Sequence, residues 1–190
     1  MLVTGVDIET TGLDFRSGHK IIEIAFSMYD LNTQKKVDEL AMRFNPRRNI
    51  DAKAQAVHKI SLDMLAGCPL FEDEGQELID RFVSKAGLLV AHNGESFDIP
   101  FMKYELAQYG IRMPDVPLID TMLDGLWACE DGKRPRLEEL AFSLGFVYDH
   151  SQSHGALYDT DLMMQCFFRA REKYNLFPLP ASLSAAAVEA

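Results

Sequence analysis

Cysteine is scarce among the 190 residues: only Cys68, Cys129 and Cys166 occur, far apart and without a CxxC spacing. Neither a disulfide framework nor a thiolate metal site is suggested, and a reducing cytoplasm is the expected compartment. Positive charge is also in short supply, with 19 Lys and Arg against 29 Asp and Glu and a formal net charge of −10. Such a chain does not grip nucleic acid by long-range attraction, so a polyanionic substrate requires metal ions or a local basic strip. The N-terminus lacks a basic flank followed by an apolar stretch, and Asp7 interrupts it at once, so no ordinary signal peptide is expected. No apolar run approaches the roughly 20 residues that cross a bilayer. Internal repeats and a dividing linker are missing too. What remains, 47% hydrophobic, suffices for one compact domain with a sizeable core.

The chain begins β-rich. Alternating and β-branched residues predict strands over Val3 to Glu9, Lys20 to Asp30 and Lys36 to Pro46. Asp51 is placed to cap a short helix over Asp51 to Ile60. Leu78, Ile79, Phe82 and Val83 have helical spacing within Phe71 to Ser84, and Ala86 to His92 is short and apolar, as in a strand covered on both faces. A helix from Asp98 to a stop at Gly110 follows, then a strand near "VPLID", helices around Met122 to Cys129 and Leu137 to Leu144, and a final helix over about Leu157 to Tyr174. Three strands, then strands alternating with helices, predict an α/β domain with a mixed sheet and packed helices. The domain is expected to occupy 1–178 and a low-complexity tail 179–190. Within it, Ala181 to Ala190 reads as a frayed end or as the start of a tether.

"VTGVDIETTGLDF" carries the first chemical signal. Strand side chains alternate, so Asp7 and Glu9 share a face while Ile8 points to the other. Neighbouring carboxylates raise each other's pKa, and a cation is the natural resolution. In "AHNGESFDIP", Asp98 opens a helix whose first turn holds Pro100; taken by itself it reads as an N-cap. In "SHGALYDTDL", His154 precedes Asp159 by five residues, about 140° out of register on a regular helix. Gly155 lets His154 sit on a loop ahead of the helix and reach the site that Asp159 faces. Asp161 falls on another helical face and is expected in solvent.

These segments resemble the DEDDh branch of the DnaQ-like 3′–5′ exonucleases. D-x-E-T-T-G is matched by Asp7 to Gly12, H-N-x-x-F-D with one residue of length variation by "HNGESFD" ending at Asp98, and H-x-A-x-x-D by His154, Ala156 and Asp159. "AVHKI" around His58 is similar to a hydrophobic-H-G-I segment of the family, with Lys59 where Gly is usual. The resemblance spans residue 3 to about 173. It implies a ribonuclease H-like fold, with a five-stranded mixed sheet of order 3-2-1-4-5 and helices on both faces.

The resemblance further implies two divalent cations, Mg²⁺ or Mn²⁺, as hard oxygen ligands favour. Asp7 would touch both, Glu9 and Asp159 the first, and Asp98 the second directly or through water, with His154 as general base. Thr10, Thr11 and Gly12 would meet the 3′ end through their backbone, with Leu13 against the base. His58, His92, Asn93 and Phe97 would touch substrate or support residues that do. The implied reaction releases nucleoside 5′-monophosphates from a 3′ end, with single-stranded DNA favoured. RNA trimming, or a non-catalytic module binding a polymerase or nucleic acid, are the competing readings, and a polymerase partner fits a proofreading role as repair fits a free enzyme. Arg43, Arg47, Arg48, Lys53 and Lys59 form one basic strip and "GKRPR" (Gly132 to Arg136) another, each a candidate for phosphate contact or a plain solvated loop. No membrane contact is expected, and nothing in the sequence specifies an oligomeric state.

Overall fold

A computed structural model describes residues 1–151 and 155–184. Five strands, β1 (Leu2–Thr10), β2 (Ile21–Asp30), β3 (Lys36–Arg43), β4 (Leu88–Ala91) and β5 (Leu118–Asp120), form one sheet of order β3-β2-β1-β4-β5. β2 runs antiparallel to β1 and β3, whereas β4 is parallel to β1 and to β5. The helices are α1 (Ala52–His58), α2 (Leu62–Leu65), α3 (Phe71–Leu78), α4 (Asp98–Gln108), α5 (Leu137–Ser143), α6 (Ala156–Tyr174) and α7 (Ala181–Ser184). The order implied by the resemblance and the mixed sheet expected from the element succession are those observed. Among the described residues no helix is long and apolar enough to cross a membrane.

Alternation along β1 divides the molecule into two layers. Val6 and Ile8 join Phe26, Phe82, Phe101 and Leu106 under α3 and α4. Val3, on the opposite face, joins Leu88, Val90, Met163 and Phe167 under α5 and α6. Asp7 and Glu9 lie on this second face, past the end of its apolar patch. Gly5 allows α6 to close onto that face: a Cβ there would lie 2.7 Å from Met164 Cγ and 3.0 Å from Thr160 Cγ2. That close approach brings the first turn of α6 alongside the acidic end of β1.

Several local readings change. The helix expected over Phe71 to Ser84 is α-helical only to Leu78 and continues as a wider π turn over Ile79–Val83, where Ser84 N–H donates to Ile79 O at 2.8 Å and Thr4 Oγ1 donates to Phe82 O at 3.0 Å. A side-chain donor to that carbonyl relieves the regular ladder of a bond. The helix expected around Met122 to Cys129 is instead a run of turns with one 3₁₀ turn, Leu126–Ala128. Asp120 accepts the Met122 and Leu123 N–H groups there, and a Cβ on Gly125 would stand 2.2 Å from Thr121 O, so the chain turns too tightly for an α-helix. Asp51 occupies the N-cap position of α1 without a capping bond and faces His19 Nε2 at 3.5 Å.

Asp161, expected in solvent, is half-buried. Its Oδ1 accepts from Ser27 Oγ at 2.7 Å and Tyr29 OH at 3.2 Å, and Oδ2 pairs with Lys36 Nζ at 2.7 Å, tying α6 across β2 and β3. The tail reading also changes where it is described: α7 is helical, and Leu179 and Leu183 pack on the α6 core layer. Residues 185–190 lie outside the described residues.

Candidate active site

The pairing of β1 with β4 runs from Val3↔Leu88 to Gly5↔Val90 and stops, because β4 ends at Ala91 while β1 continues. The Ile8 N–H beyond that point is taken by Asp98 Oδ1 at 3.0 Å. Asp98 is thus the first residue of α4 rather than its cap, and its carboxylate spans to β1. Three elements therefore deliver the acids: β1 brings Asp7 and Glu9, α4 brings Asp98 and α6 brings Asp159. They meet at the carboxyl ends of the parallel strands, where open α/β sheets form their sites.

Electrostatics record the convergence. Burial pushes the Asp7 carboxyl well above the usual range, and Asp98, Glu9, Asp159 and Glu23 push it further. Burial raises Glu9 to about 8, helped by Glu23, Asp159 and Asp98. Burial likewise raises Asp98 to about 7, against the lowering effect of its backbone hydrogen bonds. Five acids influencing one another, without a thiolate among them, are the donor set a hard divalent cation satisfies. Among the described residues no three of His, Cys, Asp and Glu already stand in ligating geometry. Three of the acids have an oxygen engaged elsewhere: Asp98 Oδ1 by Ile8, Asp159 Oδ1 by Tyr148 OH at 2.9 Å, and Glu23 Oε1 by Arg43 Nε at 2.6 Å.

Cavities open on either side of this cluster. One of about 220 Å³ is lined by Glu9, Thr10, Leu13, Lys53, Ala54, Val57, His58 and Phe97. Four of the expected substrate contacts thus share a wall with Glu9, and Leu13, 79% exposed, projects over the cavity mouth. A second cavity, about 460 Å³, is lined by Asp7, Asp159, His92, Met122, Arg136, Leu137, Tyr148 and their neighbours.

The turn residues are placed differently. Thr11 N–H donates to Lys20 O, Thr11 O accepts from Asp51 N–H, and its Oγ1 meets His19 Nδ1 at 3.0 Å, so both its backbone and its side chain hold the turn. Thr10 Oγ1 donates to Gly12 O at 2.8 Å. Gly12 lies against the His19 ring, where a Cβ would come within 2.3 Å of Cε1. Thr11 and Gly12 therefore shape the turn that presents Leu13, and neither lines a cavity described here. His92 is clamped by Thr121 Oγ1 at 2.9 Å and Pro135 O at 3.1 Å, and burial lowers its pKa to about 4, which keeps it neutral. Asn93 is a loop residue with φ of +73°. His154 lies outside the described residues.

Asp120 was not legible as a site residue. Buried at the end of β5, it accepts N–H groups from Asn93 and Met122 on Oδ1 and from Glu95 on Oδ2, all at 2.9–3.0 Å, besides Leu123 at 3.2 Å. It therefore fixes the loop that leads from His92 to Asp98. Asp120→Ala is expected to lower stability by roughly 2 kcal/mol, since buried donors lose their acceptor. A denaturant midpoint equal to that of the unsubstituted protein would show that water replaces the carboxylate. Tyr148 and Val57 were missed as well, because isolated residues in a loop and on a short helix carry no spacing. Glu23 stands opposite Glu9 across the β1–β2 ladder and pairs with Arg43 Nε at 2.6 Å. Arg43 is thereby removed from the supposed basic strip. Arg47 faces Glu72 at 3.7 Å, the Lys59 ammonium donates to Ala56 O, and of the five only Lys53 lines the smaller cavity.

Comparison with known proteins agrees with this geometry. A profile of the exonuclease (RNase_T) family matches residues 4–167. The DNA polymerase III subunit epsilon of Pasteurella multocida is 31% identical over 169 residues, covering 85% of this chain and 65% of that protein. The chain thus spans somewhat under two thirds of that relative's length. The zinc-bound E. coli exonuclease I–single-stranded DNA complex superposes with a TM-score of 0.78 at 14% identity, over 92% of this chain and 41% of the other. The nuclease domain of 3′hExo, a DEDDh family member bound to rAMP, gives 0.72 at 17% identity, over 92% and 94%. These folds are ribonuclease H-like, as is the sheet order here. With the profile covering most of the chain and the acids of its motifs brought to one point, the protein belongs to the exonuclease family.

Proposed function

We propose that the protein is a 3′–5′ exonuclease that removes nucleoside 5′-monophosphates from the 3′ end of DNA. The observation that carries this reading is the convergence of Asp7, Glu9, Asp98 and Asp159 between a cavity of about 220 Å³ and one of about 460 Å³ beyond. Repelling carboxylates cost the fold stability, and a bound cation offsets that cost. Asp7, Glu9, Asp98 and Asp159 would hold two divalent cations, Mg²⁺ or Mn²⁺, which when bound activate the attacking water and stabilise the leaving 3′ oxygen.

The chain's own groups supply the rest. Leu13, Val57 and Phe97 seat the terminal base in the smaller cavity, and Phe97 is backed edge-on by Phe101 at a centroid distance of 5.6 Å. Tyr148 orients Asp159 through its hydroxyl. His154 takes the proton of the water that attacks phosphorus, a task suited to an imidazole of unperturbed pKa near 6.5. The P–O3′ bond then breaks, leaving a strand one nucleotide shorter. DNA is favoured because the epsilon subunits among the relatives are parts of a DNA polymerase, and the same kinship makes a polymerase the natural partner and proofreading the natural setting. The exonuclease domain is taken as 1–178.

The test is incubation with matched 5′-labelled single-stranded DNA and RNA oligomers, in Mg²⁺ or in chelator. A ladder shortening from the 3′ end on DNA, lost in chelator, is expected; a faster RNA ladder would reassign the substrate, and no ladder with either would refute the activity. His154→Ala is expected to slow turnover by roughly 10²-fold or more. Near-normal turnover in that variant would remove it as the base.

A further inference from the structure

The larger cavity does not end at the carboxylates. Glu138, Tyr148 and His150 line both it and a groove of about 840 Å³ that runs between Ala128–Lys133 and α5, past Phe142, Phe146 and Val147. Phe142 is 82% exposed and Val147 89%. Packing does not explain Phe142: its neighbours on α5, Leu140 and Ala141, are fully buried against the α6 core layer, and Phe142 points away from it. An aromatic side chain at such exposure, on the wall of a groove continuous with the site, is a surface awaiting a flat apolar group.

We infer that this groove carries the strand upstream of the scissile bond, with an unpaired base stacked on Phe142. The inference rests on the reading above, in which the terminal base occupies the cavity beside Glu9. Along the same face of β1 the next nucleotide then lies beside Asp7 and Asp159, and the third enters the groove. Arg136 lines the cavity at the junction, where the phosphate linking those nucleotides passes. The groove is not a basic channel. Glu139 is paired with Lys133 at 2.6 Å and Glu138 with Arg136 at 3.4 Å, while Glu130 and Asp131 add negative charge to the rim. Attraction therefore comes from stacking, which is tolerant of sequence, rather than from phosphate charge. The acidic rim disfavours the second strand of a duplex, and a base stacked on Phe142 has left its partner. The path accordingly needs at least three unpaired nucleotides to reach Phe142.

Phe142→Ala and Phe142→Trp, both changes at an exposed position, test the strand path. The first readout is independent of turnover: an octanucleotide with 2-aminopurine third from its 3′ end, bound in chelator, is quenched by the unsubstituted protein and by Phe142→Trp and is not quenched by Phe142→Ala. The second is the ratio of the octamer's KM to a dinucleotide's, expected to rise about tenfold in Phe142→Ala and to be restored in Phe142→Trp. Quenching retained in Phe142→Ala, or a KM ratio that does not move, would overturn the strand path. Quenching without strand shortening in Mg²⁺ would overturn the activity reading and support the path.

Discussion

Asp7→Asn is expected to abolish strand shortening in Mg²⁺ while raising the melting temperature in chelator. The substitution keeps the shape and removes the charge at the centre of the cluster. Asp7 stands partly buried among Asp98, Glu9, Asp159 and Glu23, each of which makes its ionisation harder. Without a cation, the unsubstituted protein either holds a proton there at neutral pH or bears the repulsion. The amide does neither, so a gain of about 1 kcal/mol or more is expected, roughly 2–4 °C for a chain of this size. Saturating Mg²⁺ reverses the order: at a hundredfold excess over its dissociation constant it stabilises the unsubstituted protein by about 2.7 kcal/mol, and Asp7→Asn by much less. Melting curves in chelator and in Mg²⁺ check both halves. An Asp7→Asn midpoint at or below that of the unsubstituted protein in chelator would mean that the acids are too well solvated to repel.

The metal-free protein is expected to lose stability as pH rises from 6.5 to 8.5. Glu9 and Asp98 hold their protons to about 8 and about 7 in the fold, whereas in the unfolded chain they ionise near 4. Over that interval the native state binds more protons than the unfolded one, so stability falls with rising pH. His92 acts in the opposite sense: its folded pKa of about 4 lies below the unfolded value, so its contribution is complete above about 6.5 and is lost as pH falls through 4. Below pH 6.5 the two effects oppose each other, and above it the carboxylates act alone. A fall of roughly 5–10 °C across 6.5–8.5 is expected in chelator, with a flat profile in saturating Mg²⁺ and a shallower one in Glu9→Gln. A chelator profile that rises with pH would refute the raised carboxylates.

The two acids of β1 were legible because a strand has a period of two, and that period by itself places Asp7 and Glu9 on one face and Ile8 on the other. β4 was legible in another way, as a short unbroken apolar run whose four residues are all buried. Asp161 shows where local periodicity stops. Two residues from Asp159 it does turn to another face, but whether that face meets water or the hydroxyls of Ser27 and Tyr29 depends on where α6 crosses the sheet. The TTG turn shows the same limit. Its residues are recognisable, yet Lys20 and Asp51, from other parts of the chain, take up the backbone N–H and C=O of Thr11 that were expected to face a nucleotide.

The sequence by itself determined the succession of strands and helices and the acids and histidine of the motifs, because periodicity and residue type are properties of short segments; the sheet order came with the resemblance those motifs carry. The tertiary structure alone decided that Asp98 spans to Ile8, that Asp120 holds the loop before it, that Tyr148 engages Asp159, and that Glu9 and Asp7 open onto separate cavities. Each of those facts joins residues 11 to 90 positions apart, or depends on a backbone approach such as that of α6 to Gly5. Such contacts are set by how layers pack, and no spacing within a segment records them.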